Sequence, residues 1–237
     1  MPSASVQLAS GQGISPVLSP LSALPAAVLF DMDGLLLDSE RVIAASLVAV
    51  AEEMDAQIEP AFWLSMVGKA SPQCQAMLAE RIGADNAAEL LRRGFARYSE
   101  AALAGIPHRP GVLPLLDWLA ARNIPCAVGT STRQPLAGKK LAAAGLLGYF
   151  QTVVSSTDVP HPKPAPDTYL EAAKRLGVKP GRCLVLEDSP TGVRAALAAG
   201  MTAIQVPDLV LPDEETRRLG HRIASSLIEV QQWLSLF

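Results

Sequence analysis

The distribution of apolar residues divides the chain into two kinds of pattern. Between residues 39 and 105, apolar positions recur about every 3.6 residues, as in "SERVIAASLVAVAEEM" and "NAAELLRRGFARYSEAALAG". This spacing predicts amphipathic helices with no strand between them. Beyond residue 112, short β-rich runs alternate with helical segments, and the runs read "CAVGTS", "TVVSS", "CLVLED" and "TAIQV". One further run of this kind, residues 26–31, precedes the helical section.

The alternation of strands and helices predicts an α/β fold. Such alternation is typical of a parallel sheet whose two faces are covered by helices, and the run at 26–31 supplies a fifth strand. We therefore predict a Rossmann-like parallel β-sheet core with helices on both faces, formed by residues 25–38 and 107–237. Residues 39–106 become an inserted α-helical cap domain near the carboxyl edge of the sheet, with hinges at 38–41 and 106–111. Residues 1–24 are predicted to be a flexible N-terminal extension.

Composition and charge restrict the class of partner. The net charge is -3 and aromatic residues make up 5% of the 237 residues, which disfavours binding to nucleic acid or to anionic membranes. No apolar stretch reaches the ~18 residues of a membrane span. Three scattered cysteines and the absence of any Lys or Arg before Arg41 favour a reduced, cytoplasmic protein. We expect a monomer that acts on a small molecule.

Polar side chains follow three of the predicted strands at their carboxyl ends. Because parallel strands end at one edge of the sheet, these side chains should converge on one crevice. Carboxylates gathered there repel one another, and a hard cation such as Mg²⁺ relieves that repulsion. The converging residues are Asp31, Asp33, Thr130, Ser131, Thr132, Glu187 and Asp188.

Lys163 adds a positioned cation to this set. It lies between Pro162 and Pro164, which restrict the loop before the next predicted helix. An ammonium beside hydroxyl groups suits the oxygens of a phosphate group. Taken singly, each motif has a structural interpretation: Asp-x-Asp-Gly as a turn, the threonines as a helix cap and Lys163 as a solvated charge. Their predicted convergence favours a catalytic site.

Four motifs occur in order and resemble one family. They read "DMDGLLLDSE", "AVGTST", "HPKPAPD" and "LVLEDSPTGV", and the resemblance extends over about residues 26 to 210. The chain resembles the haloacid dehalogenase superfamily, in particular its helical-cap branch of sugar-phosphate phosphatases and β-phosphoglucomutase-like proteins. The ordered set is specific, although each motif alone is short.

The resemblance implies a role for each core residue. Asp31 would be the nucleophile that forms an aspartyl-phosphate, and Asp33 the general acid and base. Thr130 would bind the transferring phosphoryl group, while Lys163 would neutralise that group and Asp31. The presence of Asp33 argues against a dehalogenase, because such enzymes lack this second acidic residue.

The resemblance also implies a Mg²⁺ site. The ion would be held by Asp31, by the backbone carbonyl of Asp33 and by Asp188, with Glu187 either as a further ligand or as a neighbour of the ligands.

Other residues are weaker candidates for substrate contact. In the cap, Gly68 and Lys69 of "GKAS" match the family's substrate-contacting loop, although a charge between two helices is an equal alternative. Ser131 and Arg133 could contact phosphate. We expect His108 and His161 to have structural or surface roles.

Two alternatives to a phosphatase remain open. The β-phosphoglucomutases carry a histidine in the hinge after the first motif, where Ile43 stands here, and this difference favours transfer to water over transfer to a sugar. A non-enzymatic phospho-acceptor module would place similar residues at a sheet edge, but it would have no reason to insert a helical bundle. The prediction is therefore a Mg²⁺-dependent phosphatase for a small phosphorylated metabolite, with a sugar or polyol phosphate preferred.

Overall fold

The computed structural model describes residues 21–66 and 71–237, which form six β-strands and ten α-helices. The strands are β1 (Ala27–Phe30), β2 (Cys126–Gly129), β3 (Thr152–Val154), β4 (Cys183–Glu187), β5 (Thr202–Gln205) and β6 (Arg222–Ile223). The helices are α1 (Ser39–Glu53), α2 (Pro60–Met66), α3 (Ser71–Ile82), α4 (Ala84–Ala104), α5 (Val112–Ala121), α6 (Leu136–Ala143), α7 (Asp167–Leu176), α8 (Pro190–Ala198), α9 (Glu214–Arg217) and α10 (Leu227–Leu234).

The six strands form one parallel sheet in the order β3-β2-β1-β4-β5-β6. The chain runs outward from β1 through β2 to β3 and then returns to place β4 on the other side of β1. Ligands bind α/β sheets where the strand order reverses in this way, beyond the carboxyl ends of the strands. The predicted α/β fold is confirmed, with β6 as a sixth strand. Its two residues are too few to produce a recognisable β pattern in the sequence.

Alternate side chains of β1 pack into two different hydrophobic clusters. Val28 and Phe30 belong to a cluster that includes residues of α5 and α10, whereas Ala27 and Leu29 belong to one that includes residues of α7 and α8. Successive side chains of a strand point to opposite faces, so these clusters are the two faces of the sheet. All four β1 side chains are fully buried, which explains why the strand reads as a continuous apolar run.

The helical insertion has a hydrophobic cluster of its own. Leu47 and Val50 of α1 pack with Leu78 of α3 and Leu90 of α4 in a third cluster. Near its carboxyl end, α4 instead contributes Tyr98 to the first cluster of the core. The insertion therefore has its own core but also packs on the sheet domain through α4, and the exact domain boundaries stay a prediction.

Two chain segments connect the insertion to the sheet, and they are hydrogen-bonded to each other. The Asp38 N–H donates to the Pro107 carbonyl at 2.9 Å, and the Arg109 N–H donates to the Leu36 carbonyl at 3.0 Å. His108 contacts the Ala144 carbonyl through Nε2 at 2.7 Å, which gives it a structural position, as expected from the sequence. The cap is thus joined to the core by a paired connection next to the predicted hinges.

Most of the predicted N-terminal extension, residues 1–24, lies outside the described residues, which begin at Leu21. Leu21 is buried in the first hydrophobic cluster, and Leu24 packs against that cluster. This part of the predicted extension is therefore packed on the core. Within the described ranges, no helix combines the length and the apolar character needed to cross a bilayer.

Candidate active site

A cleft of about 690 Å³ lies at the carboxyl edge of the sheet. Its walls include the ends of β1, β2 and β4, the amino end of α8 and the loop that follows β5. The lining residues that carry polar side chains are Asp31, Asp33, Glu40, Thr130, Ser131, Thr132, Lys163, Asp188, Ser189, Thr191, Gln205, Asp208 and Asp213. Six of the seven polar residues that the sequence placed at the strand ends therefore line the cleft, and the seventh, Glu187, is fully buried and does not line it.

Lys163 joins two buried carboxylates. Its Nζ donates to Asp31 Oδ1 at 2.6 Å and to Glu187 Oε1 at 2.6 Å. The backbone N–H of Asp31 donates to the Leu186 carbonyl at 2.9 Å, which ties the end of β1 to β4. This single ammonium therefore fixes the positions of two strand ends and of the loop that carries it.

The acidic groups outnumber this ammonium, and their pKa values reflect the imbalance. Burial raises the pKa of Asp31 from 3.8 to about 7, against the opposing effect of Lys163. Burial, followed by the charges of Asp31 and Glu187, raises the pKa of Asp188 well above its ordinary value. Burial alone would lower the pKa of Lys163, but the two adjacent carboxylates raise it above its ordinary value, so the group stays charged. Further positive charge would stabilise the ionised carboxylates.

Three carboxylates lie close enough together to share a metal ion. One oxygen from each of Asp31, Glu187 and Asp188 lies within 4.8 Å of the other two. Carboxylate oxygens are the ligands that Mg²⁺ prefers, so this donor set fits the predicted ion. Gly34 borders the group with a φ of +86°, and a Cβ there would lie 2.3 Å from Asp188 Oδ2. Glycine at position 34 thus satisfies both the backbone conformation and the close approach of Asp188.

Glu187 already receives hydrogen bonds at both of its oxygens. The Tyr169 hydroxyl donates to Oε1 at 2.6 Å, beside Lys163, and the Ser189 hydroxyl donates to Oε2 at 3.0 Å. Glu187 is fully buried, and a Cβ at Gly192 would lie 1.6 Å from Oε1. These contacts favour Glu187 as the residue that positions Lys163, and they leave Asp31 and Asp188 as better candidates for direct metal ligation. Ligation by the backbone carbonyl of Asp33 stays a prediction.

Asp33 is held by a different set of partners. The Thr132 hydroxyl donates to Oδ2 at 2.6 Å, and Lys140 of α6 forms an ion pair with Oδ1. Lys140 also donates to the Tyr98 hydroxyl of α4 at 2.7 Å. Burial alone would lower the pKa of Lys140, but Asp33 and Tyr98 raise it above its ordinary value. Asp33 is therefore paired with Lys140, whereas Asp31 is paired with Lys163.

Neither Lys140 nor Tyr98 lies in the four sequence motifs, and neither was predicted as a site residue. Lys140 lies on the same helical face as the buried Ala137 and Leu141 of α6, at the spacing of an amphipathic stripe. A lysine at an apolar position of this stripe was the available signal, and it indicates a buried charge that needs a partner.

The other candidates for phosphate contact differ in position. Thr130 is buried and lines the cleft, and its Oγ1 accepts a hydrogen bond from the Thr132 N–H at 3.0 Å. Ser131 is exposed and also lines the cleft. Arg133 is exposed and is not part of the cleft lining, and its phosphate contact stays a prediction.

The remaining candidate residues lie away from the cleft or outside the described residues. His161 is exposed and pairs with Asp167 at 3.0 Å, which fits the predicted surface role. Gly68 and Lys69, the proposed cap contacts, lie outside the described residues.

Comparisons with known proteins agree with the geometry. The model of the haloacid dehalogenase-like hydrolase family matches residues 28–206. Fructose-1-phosphate phosphatase YqaB of Escherichia coli (strain K12) is 38% identical over 76% of this chain and 96% of its own length. Hexitol phosphatase A of the same organism is 34% identical over 75% of this chain and 81% of its own length. The crystal structure of a putative beta-phosphoglucomutase from Thermotoga maritima superposes with a TM-score of 0.75 at 27% identity, covering 88% of this chain and 98% of its own.

The raised pKa of Asp31 predicts a pH-dependent stability in buffer free of divalent cations. The folded-state pKa of about 7 exceeds the ordinary 3.8, so the folded protein binds the Asp31 proton more tightly than the unfolded chain does. The stability that this proton contributes is complete below pH 3.8 and is lost as the pH rises through 7. Between about pH 5 and about pH 8.5, the free energy of unfolding of the wild type should fall by on the order of a few kcal/mol relative to Asp31→Asn, since one pKa unit corresponds to about 1.4 kcal/mol. Denaturant unfolding at a series of pH values measures this difference.

Added Mg²⁺ should oppose this loss, because the ion binds the ionised carboxylates and competes with protons. The rise in melting temperature on addition of Mg²⁺ should increase with pH in the wild type and be largely lost in Asp31→Asn. A rise that is independent of pH and survives in the variant would contradict the predicted metal site.

The close approach of α8 to Glu187 predicts that Gly192 cannot be enlarged. Gly192→Ala forces the buried Glu187 carboxylate to shift, and we expect a loss of about 1–3 kcal/mol in the free energy of unfolding, as for overpacked sites. Gly148→Ala is the control, because beyond the adjoining backbone no atom lies within 4 Å of its added Cβ. Equal unfolding free energies for the two variants would show that the Glu187 site tolerates displacement.

Proposed function

This chain belongs to the haloacid dehalogenase-like hydrolases and is a phosphatase of that family, and we propose that it hydrolyses a sugar or polyol phosphate in a Mg²⁺-dependent reaction through an aspartyl-phosphate. The observation that carries this proposal is the arrangement of one buried carboxylate, Asp31, beside Lys163 and Thr130 at a single cleft. A nucleophile, a cation and a hydroxyl group at one sheet edge are the parts that phosphoryl transfer requires.

In the first step, an oxygen of the Asp31 carboxylate attacks the phosphorus atom of the substrate. A P–O bond to Asp31 forms while the P–O bond to the sugar or polyol oxygen breaks, and protonated Asp33 donates its proton to that departing oxygen. Lys163, bonded to Asp31 Oδ1 at 2.6 Å, offers positive charge to the transferring oxygens. The Thr130 side chain borders the same cleft and supplies a hydrogen bond to the phosphoryl group.

In the second step, the Asp33 carboxylate takes a proton from water as the water oxygen attacks phosphorus. The P–O bond to Asp31 breaks, phosphate leaves and both aspartates return to their starting states. Bound Mg²⁺ would supply charge stabilisation at the transferring group, and Asp31, Asp188 and the Asp33 backbone carbonyl would hold it. Glu187 supports this site by fixing Lys163.

The relatives and the size of the cleft support this substrate class. The two Escherichia coli relatives are named for a ketose phosphate and for hexitol phosphates. A cleft of about 690 Å³ is large enough for a molecule of that size. The loop after β5 adds apolar side chains from Leu209 to Pro212 to one wall, so the cleft offers both polar and apolar contacts to a carbohydrate.

Transfer of the phosphoryl group to a second sugar is the alternative reaction. It is favoured by the similarity to the putative beta-phosphoglucomutase. Against it, Ile43 occupies the position of the hinge histidine of β-phosphoglucomutases and packs against two hydrophobic clusters, where it offers no group for proton transfer. The phospho-acceptor module is no longer an alternative, because the chain belongs to a family of hydrolases.

The purified protein should release phosphate from a small number of sugar or polyol phosphates when Mg²⁺ is present and should lose this activity with EDTA. A panel that includes fructose 1-phosphate, hexitol phosphates and nucleoside monophosphates tests this by measurement of free phosphate. β-Glucose 1-phosphate, coupled to detection of glucose 6-phosphate, tests the mutase. Conversion of β-glucose 1-phosphate to glucose 6-phosphate without phosphate release would show that the enzyme is a mutase and would contradict the proposed hydrolysis.

Asp31→Asn should abolish turnover while leaving the fold intact, because the side chain keeps its shape and loses the nucleophilic oxygen. The expected decrease in kcat is at least about 10³-fold, as for the loss of an essential nucleophile. Circular dichroism and the melting temperature serve as controls for folding. Normal phosphate release by the folded variant would contradict the assignment of Asp31.

A further inference from the structure

Lys140 is a buried ammonium group for which neither the sequence motifs nor the proposed reaction accounts. Its side chain is 2% exposed, whereas that of its partner Asp33 is 26% exposed at the cleft. Burying a lysine is costly, and an ion pair of this kind is seldom more stable than an apolar pair of similar volume. An apolar pair in place of both partners would therefore be about as stable, whereas loss of Lys140 alone would leave the Asp33 carboxylate and the Tyr98 hydroxyl without this partner.

The contacts of Lys140 fix the orientation of Asp33. One carboxylate oxygen of Asp33 is paired with Lys140 and the other accepts the Thr132 hydroxyl at 2.6 Å. With both oxygens held by these donors, the carboxylate has a defined direction at the edge of the cleft. A side chain held by only one of these donors would occupy several rotamers.

Tyr98 holds Lys140 in turn. Its hydroxyl accepts a hydrogen bond from Nζ at 2.7 Å, and its ring centroid lies 5.3 Å from Nζ. Tyr98 belongs to α4, the last helix of the insertion, and is itself buried in the first hydrophobic cluster. The ammonium thus lies between a side chain of the inserted section and the Asp33 carboxylate.

We propose that Lys140, anchored by Tyr98 of α4, is a positioning residue that holds the Asp33 carboxyl group in the orientation for proton transfer to the departing oxygen. The inference rests on the proposed function, in which Asp33 protonates that oxygen. The effect of Lys140 on the rate of hydrolysis should therefore be largest for substrates whose departing oxygen must be protonated. Hydrolysis of an alkyl phosphate, which releases an alkoxide unless it is protonated, should depend on Lys140 far more than hydrolysis of p-nitrophenyl phosphate, which releases a stable phenolate.

The test compares kcat/KM for fructose 1-phosphate and for p-nitrophenyl phosphate, since kcat/KM reports only the steps up to departure of the leaving group. Lys140→Met should lower kcat/KM by about 10²-fold for fructose 1-phosphate and by less than about fivefold for p-nitrophenyl phosphate, because general acid catalysis contributes about 10²–10⁴-fold. Tyr98→Phe should show the same preference with a smaller loss, because the ring remains and only the hydroxyl acceptor is removed.

Two further variants make the result decisive. Lys139→Met is the matched control, because Lys139 is the exposed neighbour of Lys140 on the same helix, and it should leave both substrates unaffected. Asp33→Asn is the benchmark and should show the same leaving-group dependence as Lys140→Met. Melting temperatures verify that Lys140→Met folds, with a lower value than the wild type expected because one partner of a buried ion pair is removed.

Each other outcome overturns the inference. If Asp33→Asn discriminates between the substrates but Lys140→Met loses both equally, or gains activity, Lys140 has a structural or restraining role and the proposed function survives. If neither variant discriminates, the acid role of Asp33 fails and the inference fails with it. If the wild type hydrolyses neither substrate, the proposed function is wrong for this substrate class and the inference has no basis.

Discussion

The ion pairs of Lys163 with Asp31 and Glu187 are the contacts on which the arrangement of the site depends. They link the ends of β1 and β4 to the loop before α7 in a region where none of the three side chains is more than 10% exposed. At a site so well shielded from water, a carboxylate without a partner would take up a proton and lose its nucleophilic character. The raised pKa of Asp31 shows that one ammonium does not fully offset burial and the neighbouring acids. This excess of negative charge makes the site a candidate for Mg²⁺, and the same added positive charge would be needed for an anionic substrate to bind beside these carboxylates.

The rest of the fold brings the charged groups close together without side-chain collisions. Gly34 and Gly192 leave the space that Asp188 and Glu187 occupy, so the motif glycines are explained by packing against acidic side chains. The reversal of strand order beside β1 places the ends of β2 and β4 on either side of Asp31. The inserted helices reach the second carboxylate, Asp33, through Tyr98 and Lys140. The two aspartates of the first motif thus have separate lysine partners, one on the loop before α7 and one on α6.

The parts of this arrangement that depend on local pattern could be predicted from the sequence. Continuous apolar runs marked the buried strands, and polar residues at their ends marked the edge where Asp31, Thr130 and Lys163 meet. The apolar stripe of α6 indicates that Lys140 is buried, but it could not identify the partner, because Asp33 is 107 residues away in sequence and only the tertiary structure reveals the pair. Strand β6 was missed because two residues carry no periodicity. Arg133 was assigned to phosphate from its proximity to the second motif, and its exposed position outside the cleft lining leaves that assignment a prediction.

The central claim, that Asp31 carries the phosphoryl group during turnover, is tested most directly by trapping the intermediate. The enzyme is mixed with a substrate that it hydrolyses, quenched with acid during turnover and treated with borohydride, which reduces an acyl phosphate to an alcohol. Peptide mass spectrometry should then find homoserine at position 31 in the wild type and unmodified aspartate in enzyme quenched without substrate. An active enzyme in which Asp31 stays unmodified, or in which the reduced residue lies elsewhere, would contradict the account.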